Sequence, residues 1–322
     1  RVVGSGRRTF VLDYTQQRAL ALSSCRREYR FTKTIEYADE TPEDGVFANY
    51  CIFAGTLICG SLVAYGLFYA STTKWNTPNP YGRERLMVPC ARDNLYRLSL
   101  DKSYSLFSKY LEEGKLMPTS LQSYTVVTQL LDRLVKAAAT VGAAELADID
   151  WKVHIIDENQ AGIITLTDGN IFITKGLLLV TDGIEEIATI LAHELGHIHE
   201  EHLAELYSGT VSRMLTLFPF IPYPIGGFFP IPPLESLLSI ELNEYQEYEA
   251  DSFAVKLLSA MGLNPKSSIE FWTKIKNLHK QSKVESHVSL ERHSTRILDK
   301  RINNIEWAID QQAKTPRKSV KE

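Results

Sequence analysis

The sequence predicts an α+β fold, mostly helical with a small embedded β-sheet, preceded by one N-terminal transmembrane helix. Three observations lead there: an apolar run without charge over residues 45–73, long segments with apolar residues at helical spacing, and three short β-rich runs between 151 and 174. With 322 residues the chain can bury a sizeable core.

The charge-free run contains about twenty residues from Tyr50 to Ala70, enough to cross a hydrocarbon core of ~30 Å as a helix. Tyr50, Phe68, Tyr69 and Trp75 stand near its ends, where aromatic rings favour the membrane interface. Four segments follow: a basic and acidic N-terminal stretch (1–46), the transmembrane helix (47–73), one large domain (74–312) and a disordered tail (313–322). Residues 1–35 hold eight basic and two acidic side chains, a composition that resembles a targeting region. The runs Gly6-Arg-Arg-Thr-Phe-Val-Leu12 and Gly82-Arg-Glu-Arg-Leu-Met-Val88 also align without a gap, as in a degenerate duplication.

Past the Pro- and Asn-rich linker at 76–82, Ser120 is placed to cap a helix carrying Tyr124, Val127, Leu131, Leu134 and Ala138 on one face. Strands are expected at 151–156, 162–166 and 171–174, with a turn at Thr167-Asp-Gly-Asn170. Asp182 followed by Glu185 reads as a capping box opening a helix through Ile184, Ile187, Ala188 and Leu191. A further helical run covers 234–261 and ends at Gly262 and Pro265.

A net charge of −4 lacks the basic excess that binding nucleic-acid phosphates requires, so no nucleic-acid partner is expected. The four cysteines, at 25, 51, 59 and 90, form no Cys-x-x-Cys pair and read as small buried apolar residues.

The chemistry lies in His193-Glu-Leu-Gly-His197. Residues i and i+4 of a helix share a face, so both imidazoles reach one cation, while Glu194 lies one step round the cylinder, beside a water on that cation. Catalytic zinc takes three protein ligands and leaves one position open. The metzincin pattern fails, because its glycine would fall at Glu200 and its third histidine at Leu203. On a continuing helix His199 and His202 are rotated away. Glu247 is the better third ligand, with Asp251 one turn later to accept a hydrogen bond from a ligand imidazole; Tyr248 and Glu249 point elsewhere.

These residues, with Gly169-Asn-Ile-Phe-Ile-Thr-Lys-Gly-Leu-Leu178 and Asn79-Pro-Tyr-Gly-Arg-Glu-Arg-Leu86, resemble the Oma-type mitochondrial inner-membrane metalloproteases, relatives of the Ste-type CAAX prenyl proteases. His202 and Glu205 match that family's extended helix motif. The resemblance implies a gluzincin fold, one Zn2+ per chain, ATP-independent cleavage of membrane proteins or unfolded polypeptides in inner-membrane quality control, and a catalytic domain facing the intermembrane space. It also leaves room for a homo-oligomer. The flanking charges of the apolar run, acidic before and basic after, favour the opposite orientation; the family's is preferred.

The chain departs from the family where Gln160-Ala-Gly162 and Asn243-Glu244 stand, and where the C-terminal motif is reduced to His293-Ser-Thr-Arg-Ile297 without its proline. In this reading Glu194 is the general base, and His293 or Arg296 supplies the oxyanion donor. The strand at 171–174 is expected to pair with an extended substrate. The apolar, proline-broken segment between 206 and 240 is expected to dip into the bilayer interface. Alternatives are a CAAX-type or bacterial envelope protease, or an inactive metal-binding membrane scaffold.

Overall fold

A computed structural model of the chain describes residues 45–71, 73–75, 81, 85–88, 91–217, 234–238, 242–281 and 295–314. The chain divides into two units, Arg1–Leu57 and Ile58–Glu322. The basic stretch, residues 82–84 of the second duplicated run and residues 218–233 of the apolar segment lie outside the described residues, as does His293.

Helix α1 (Gly45–Ser71) occupies the charge-free run as expected. Among the described residues no helix is long and apolar enough to cross a membrane, and the side chains of α1 are described only at 49–60, 62 and 63. Those described include exposed Ile52, Phe53, Leu57, Ile58, Leu62 and Val63. Cys51 and Cys59 are free and exposed, correcting the expectation of buried thiols: this helix offers them no covering layer.

After α1 comes a short antiparallel pair, β1 (Thr73–Trp75) and β2 (Arg85–Met87), with Trp75 opposite Arg85. Helix α2 (Ala91–Glu112) follows, then α3 (Gln122–Ala138). Helix α3 buries Val127, Leu131, Leu134 and Ala138 as the spacing predicts. Its N-cap is Leu121, without a side-chain cap, so Ser120 does not serve: the helix starts one residue further on.

The sheet contains β3 (Lys152–Ile156), β4 (Ile163–Thr165) and β5 (Asn170–Thr174) in the order β3-β5-β4. Strand β5 is therefore central, parallel to β3 and antiparallel to β4, with both edges already paired. This corrects the expectation that 171–174 receives a substrate strand. The outer strands are β3, met at its C-terminal end by residues 115–117, and β4. Gly169, at φ +90, makes the turn into β5, where a Cβ would stand 2.6 Å from the Asp150 carbonyl oxygen.

After α4 (Lys175–Val180) comes α5 (Ile184–His199), whose N-cap is Gly183 rather than Asp182. The capping role passes to Glu186, whose carboxylate accepts the Asp182 N–H at 2.8 Å, while Asp182 itself pairs with Lys274. Helix α6 (His202–Leu217) starts after a break at Glu200 and Glu201, the latter at φ 54.

The run expected at 234–261 is two helices, α7 (Leu234–Leu238) and α8 (Glu244–Ala260). Asn243 separates them by capping α8 in a reciprocal box with Gln246. Helices α9 (Ser267–Gln281) and α10 (Thr295–Lys314) complete the unit. Helix α10 takes in Ala313 and Lys314, which the sequence placed in the tail, and residues 315–322 lie outside the described residues.

Helix α5 packs most extensively on α8, and α8 on α10. Gly196 permits the first contact: a Cβ there would stand 3.0 Å from both the Cα and the carbonyl oxygen of Ala250. The main core joins α3, the inner face of the sheet, α5, α8, α9 and α10. A smaller core lies under α2, β2 and α6.

Candidate metal centre

Helix α5 places His193 and His197 one turn apart, and α8 brings Glu247 to them across the Gly196 contact. Their Nε2 atoms are 2.9 Å apart. Glu247 Oε2 lies 3.5 Å from His193 Nε2, and Oε1 lies 3.8 Å from His197 Nε2. Among the described residues, these three form a group whose ligand atoms lie within 4.8 Å of one another.

Two ligands ~2.05 Å from one ion at tetrahedral angles stand about 3.3 Å apart, close to all three separations. The donor set therefore fits a catalytic metal held by two imidazoles and a carboxylate. Each imidazole also has its other nitrogen committed, His193 Nδ1 at 2.9 Å from Asp251 Oδ1 and His197 Nδ1 at 2.7 Å from His202 Nδ1. With those nitrogens donating, both Nε2 lone pairs face one point and repel unless a cation lies between them.

The residue that sequence reasoning missed is Arg301. Buried on α10, it bonds Asp251 twice, Nε at 2.8 Å and NH2 at 2.7 Å, and its NH1 lies 2.9 Å from Glu247 Oε2. Its guanidinium stacks 3.6 Å from the Trp272 ring centroid. A sequence signal existed. Arg301-Ile302 is a second Arg-Ile pair five residues after Arg296-Ile297. The first pair opens α10; the second falls where that helix meets the centre.

Burial disfavours the charged form of Glu247, but Arg301 and the two imidazoles outweigh it and hold the carboxyl well below the usual range. Burial likewise opposes a charge on His193, as does Arg301, yet Asp251 and Glu247 prevail and raise it to about 9. Burial and the neighbouring His193 charge depress His197. In the metal-free chain one proton on His193 thus takes the place of the cation. Glu194 is half-buried beside this cluster, and burial pushes its carboxyl up, partly offset by His193 and the Thr165 hydroxyl on β4.

One further expectation is corrected. His202 is not rotated away, because the break at Glu200 and Glu201 resets the helix and turns its ring back onto His197. Glu249 points off the Glu247 face as expected, but it is buried there, 2.9 Å from His202 Nε2.

A helix with a His-Glu-x-x-His pair, joined by a carboxylate from a second helix, defines the metallopeptidases whose third ligand is a glutamate. The model for peptidase family M48 matches residues 126–308, and the chain belongs to that family. It is 26% identical over 190 residues to the mitochondrial metalloendopeptidase OMA1 of Saccharomyces cerevisiae, covering 57% of this chain and 54% of that protein. The Schizosaccharomyces pombe mitochondrial metalloendopeptidase OMA1 is 25% identical over 221 residues, 68% of this chain and 62% of that one. The mitochondrial metalloendopeptidase OMA1 of Bos taurus is 22% identical over 223 residues, 65% and 42%. The resemblance to Oma-type proteases is thereby borne out, over about half the length of these relatives.

Proposed function

We propose that this chain is a membrane-anchored zinc metalloendopeptidase that cleaves membrane proteins or unfolded polypeptides in the mitochondrial inner membrane without ATP, its catalytic domain facing the intermembrane space. The observation carrying this reading is the convergence of His193, His197 and Glu247 from two helices, with Glu194 alongside. The relatives' printed names supply the mitochondrial setting.

Zinc held by His193, His197 and Glu247 would supply Lewis acidity, which acidifies water and polarises a peptide carbonyl. Glu194 takes the proton from the attacking water and delivers it to the leaving amine; its upward shift suits it to both exchanges. Asp251, held by Arg301, fixes the His193 ring. The β4 edge, next to the Thr165 hydroxyl, suits an extended substrate backbone. His293 or Arg296 remains the proposed oxyanion donor, and the proline-broken segment between 206 and 240 the proposed contact with membrane-embedded substrate.

For the anchor, the support is that α1 carries no charged side chain over 27 residues and that its described apolar side chains are exposed. The Thr56 hydroxyl donates back to the Ile52 carbonyl at 2.9 Å, which satisfies it within the helix as a bilayer demands.

The test uses a denatured membrane-protein substrate, with and without a chelator. Cleavage should stop on chelation and return with zinc. Glu194→Gln should lose at least ~100-fold in rate while retaining its metal, and Glu247→Ala should lose the metal. Chelator-resistant cleavage, or full activity in Glu194→Gln, would refute the assignment.

A further inference from the structure

Behind His197 a second support runs outward to a strand beyond the stretch shared with family M48. His202 Nδ1 lies 2.7 Å from His197 Nδ1, His202 Nε2 lies 2.9 Å from Glu249 Oε2, and Arg85 NH2 reaches that same oxygen at 2.8 Å. Arg85, Glu249 and His202 are only 5%, 3% and 1% exposed, so water does not set their partners. Arg85 is fixed in turn by Glu200, NH1 bonding its carbonyl oxygen at 2.6 Å and NH2 its carboxylate at 2.6 Å.

The order of hydrogens along this chain has one consistent solution. For His197 to aim an Nε2 lone pair at a metal, its Nδ1 must carry the hydrogen and donate it. His202 Nδ1 must then accept, which places that ring's hydrogen on Nε2, donating to Glu249. Glu249 must accept from both sides, and the Arg85 charge keeps it an acceptor. The other ligand is built alike: His193 donates to Asp251, which Arg301 holds. Arg301 comes from within the matched residues 126–308, whereas Arg85 comes from β2, outside them.

We propose that Arg85 is a positioning residue of the metal centre, fixing through Glu249 and His202 the tautomer and ring orientation of His197. This rests on the reading of His197 as a metal ligand. It also means that one ligand is braced from the hairpin whose first strand follows α1 directly, so the polypeptide beside that helix helps to set the metal geometry. A purely structural Arg85–Glu249 pair would hold β2 in place without influencing the metal.

The test uses the full chain loaded with zinc or with cobalt(II), comparing the parent with Arg85→Gln, Arg85→Lys and His202→Gln. Arg85→Gln should weaken zinc binding ~10–100-fold and shift the visible cobalt spectrum. Arg85→Lys should recover most of both, because it restores a cation beside Glu249. His202→Gln, which leaves Arg85 its pairs with Glu249 and Glu200, should match Arg85→Gln, and the double variant should lose little more than either. It also carries the test if Arg85→Gln does not fold. Zinc affinity and cobalt spectra unchanged in a folded Arg85→Gln or His202→Gln would overturn the proposal, as would additive losses. A parent chain that binds neither metal would instead refute the metal site itself, and this inference with it.

Discussion

His193 shows how a single residue's environment sets the behaviour of the centre. In the metal-free chain its imidazole is raised to about 9, so at neutral pH it holds a proton that a cation must displace. The sign follows: below about 9, lowering the pH strengthens the competitor and weakens metal binding. Zinc affinity should rise about tenfold per pH unit between pH 6 and 8, with about one proton released per ion bound. Titrations in buffers of different ionisation enthalpy would measure both. An affinity independent of pH would mean that His193 is already neutral. His197, depressed by burial, adds no second proton.

At the scale of elements, the centre depends on how closely α5 and α8 approach. Alanine is the better helix former than glycine by ~1 kcal/mol, so propensity alone predicts that Gly196→Ala stabilises α5. The 3.0 Å contacts with Ala250 backbone atoms reverse that sign, because backbone cannot turn aside as a side chain does. We expect Gly196→Ala to cost ~1–3 kcal/mol, seen as a lower Tm, and to weaken zinc binding by separating Glu247 from the histidines. An unchanged Tm and affinity would show that the two helices can slide apart freely. The break at Glu200 and Glu201 matters in the same way. Were α5 continuous through 205, His202 would face away and His197 would lose its partner.

For the whole molecule, the question is what α1 does. Its described apolar side chains are exposed, and its sequence carries no charge over 27 residues. We expect the chain to partition with membranes and to resist extraction at alkaline pH, and removal of residues 45–71 to release it. Extraction of the intact chain by alkaline carbonate would argue against an anchor.

The sequence by itself determined the two histidines and the glutamate proposed as ligands and base, and most of the secondary structure around them. His193, Glu194 and His197 are a local pattern within five consecutive residues of one helix, and Val127, Leu131 and Leu134 or the β5 residues follow periodicities equally local. Glu247 and Asp251 were legible because a three-ligand site demands a third donor and a helix repeats every fourth residue. Tertiary structure alone decided the rest: that β5 is central and β4 an edge, that His202 turns back onto His197, and that Arg301 and Arg85 hold the carboxylates behind the two imidazoles. Those contacts join residues 50 to 164 positions apart or hinge on a single positive φ, and neither propensity nor periodicity records which distant side chain fills a buried partner's last bond.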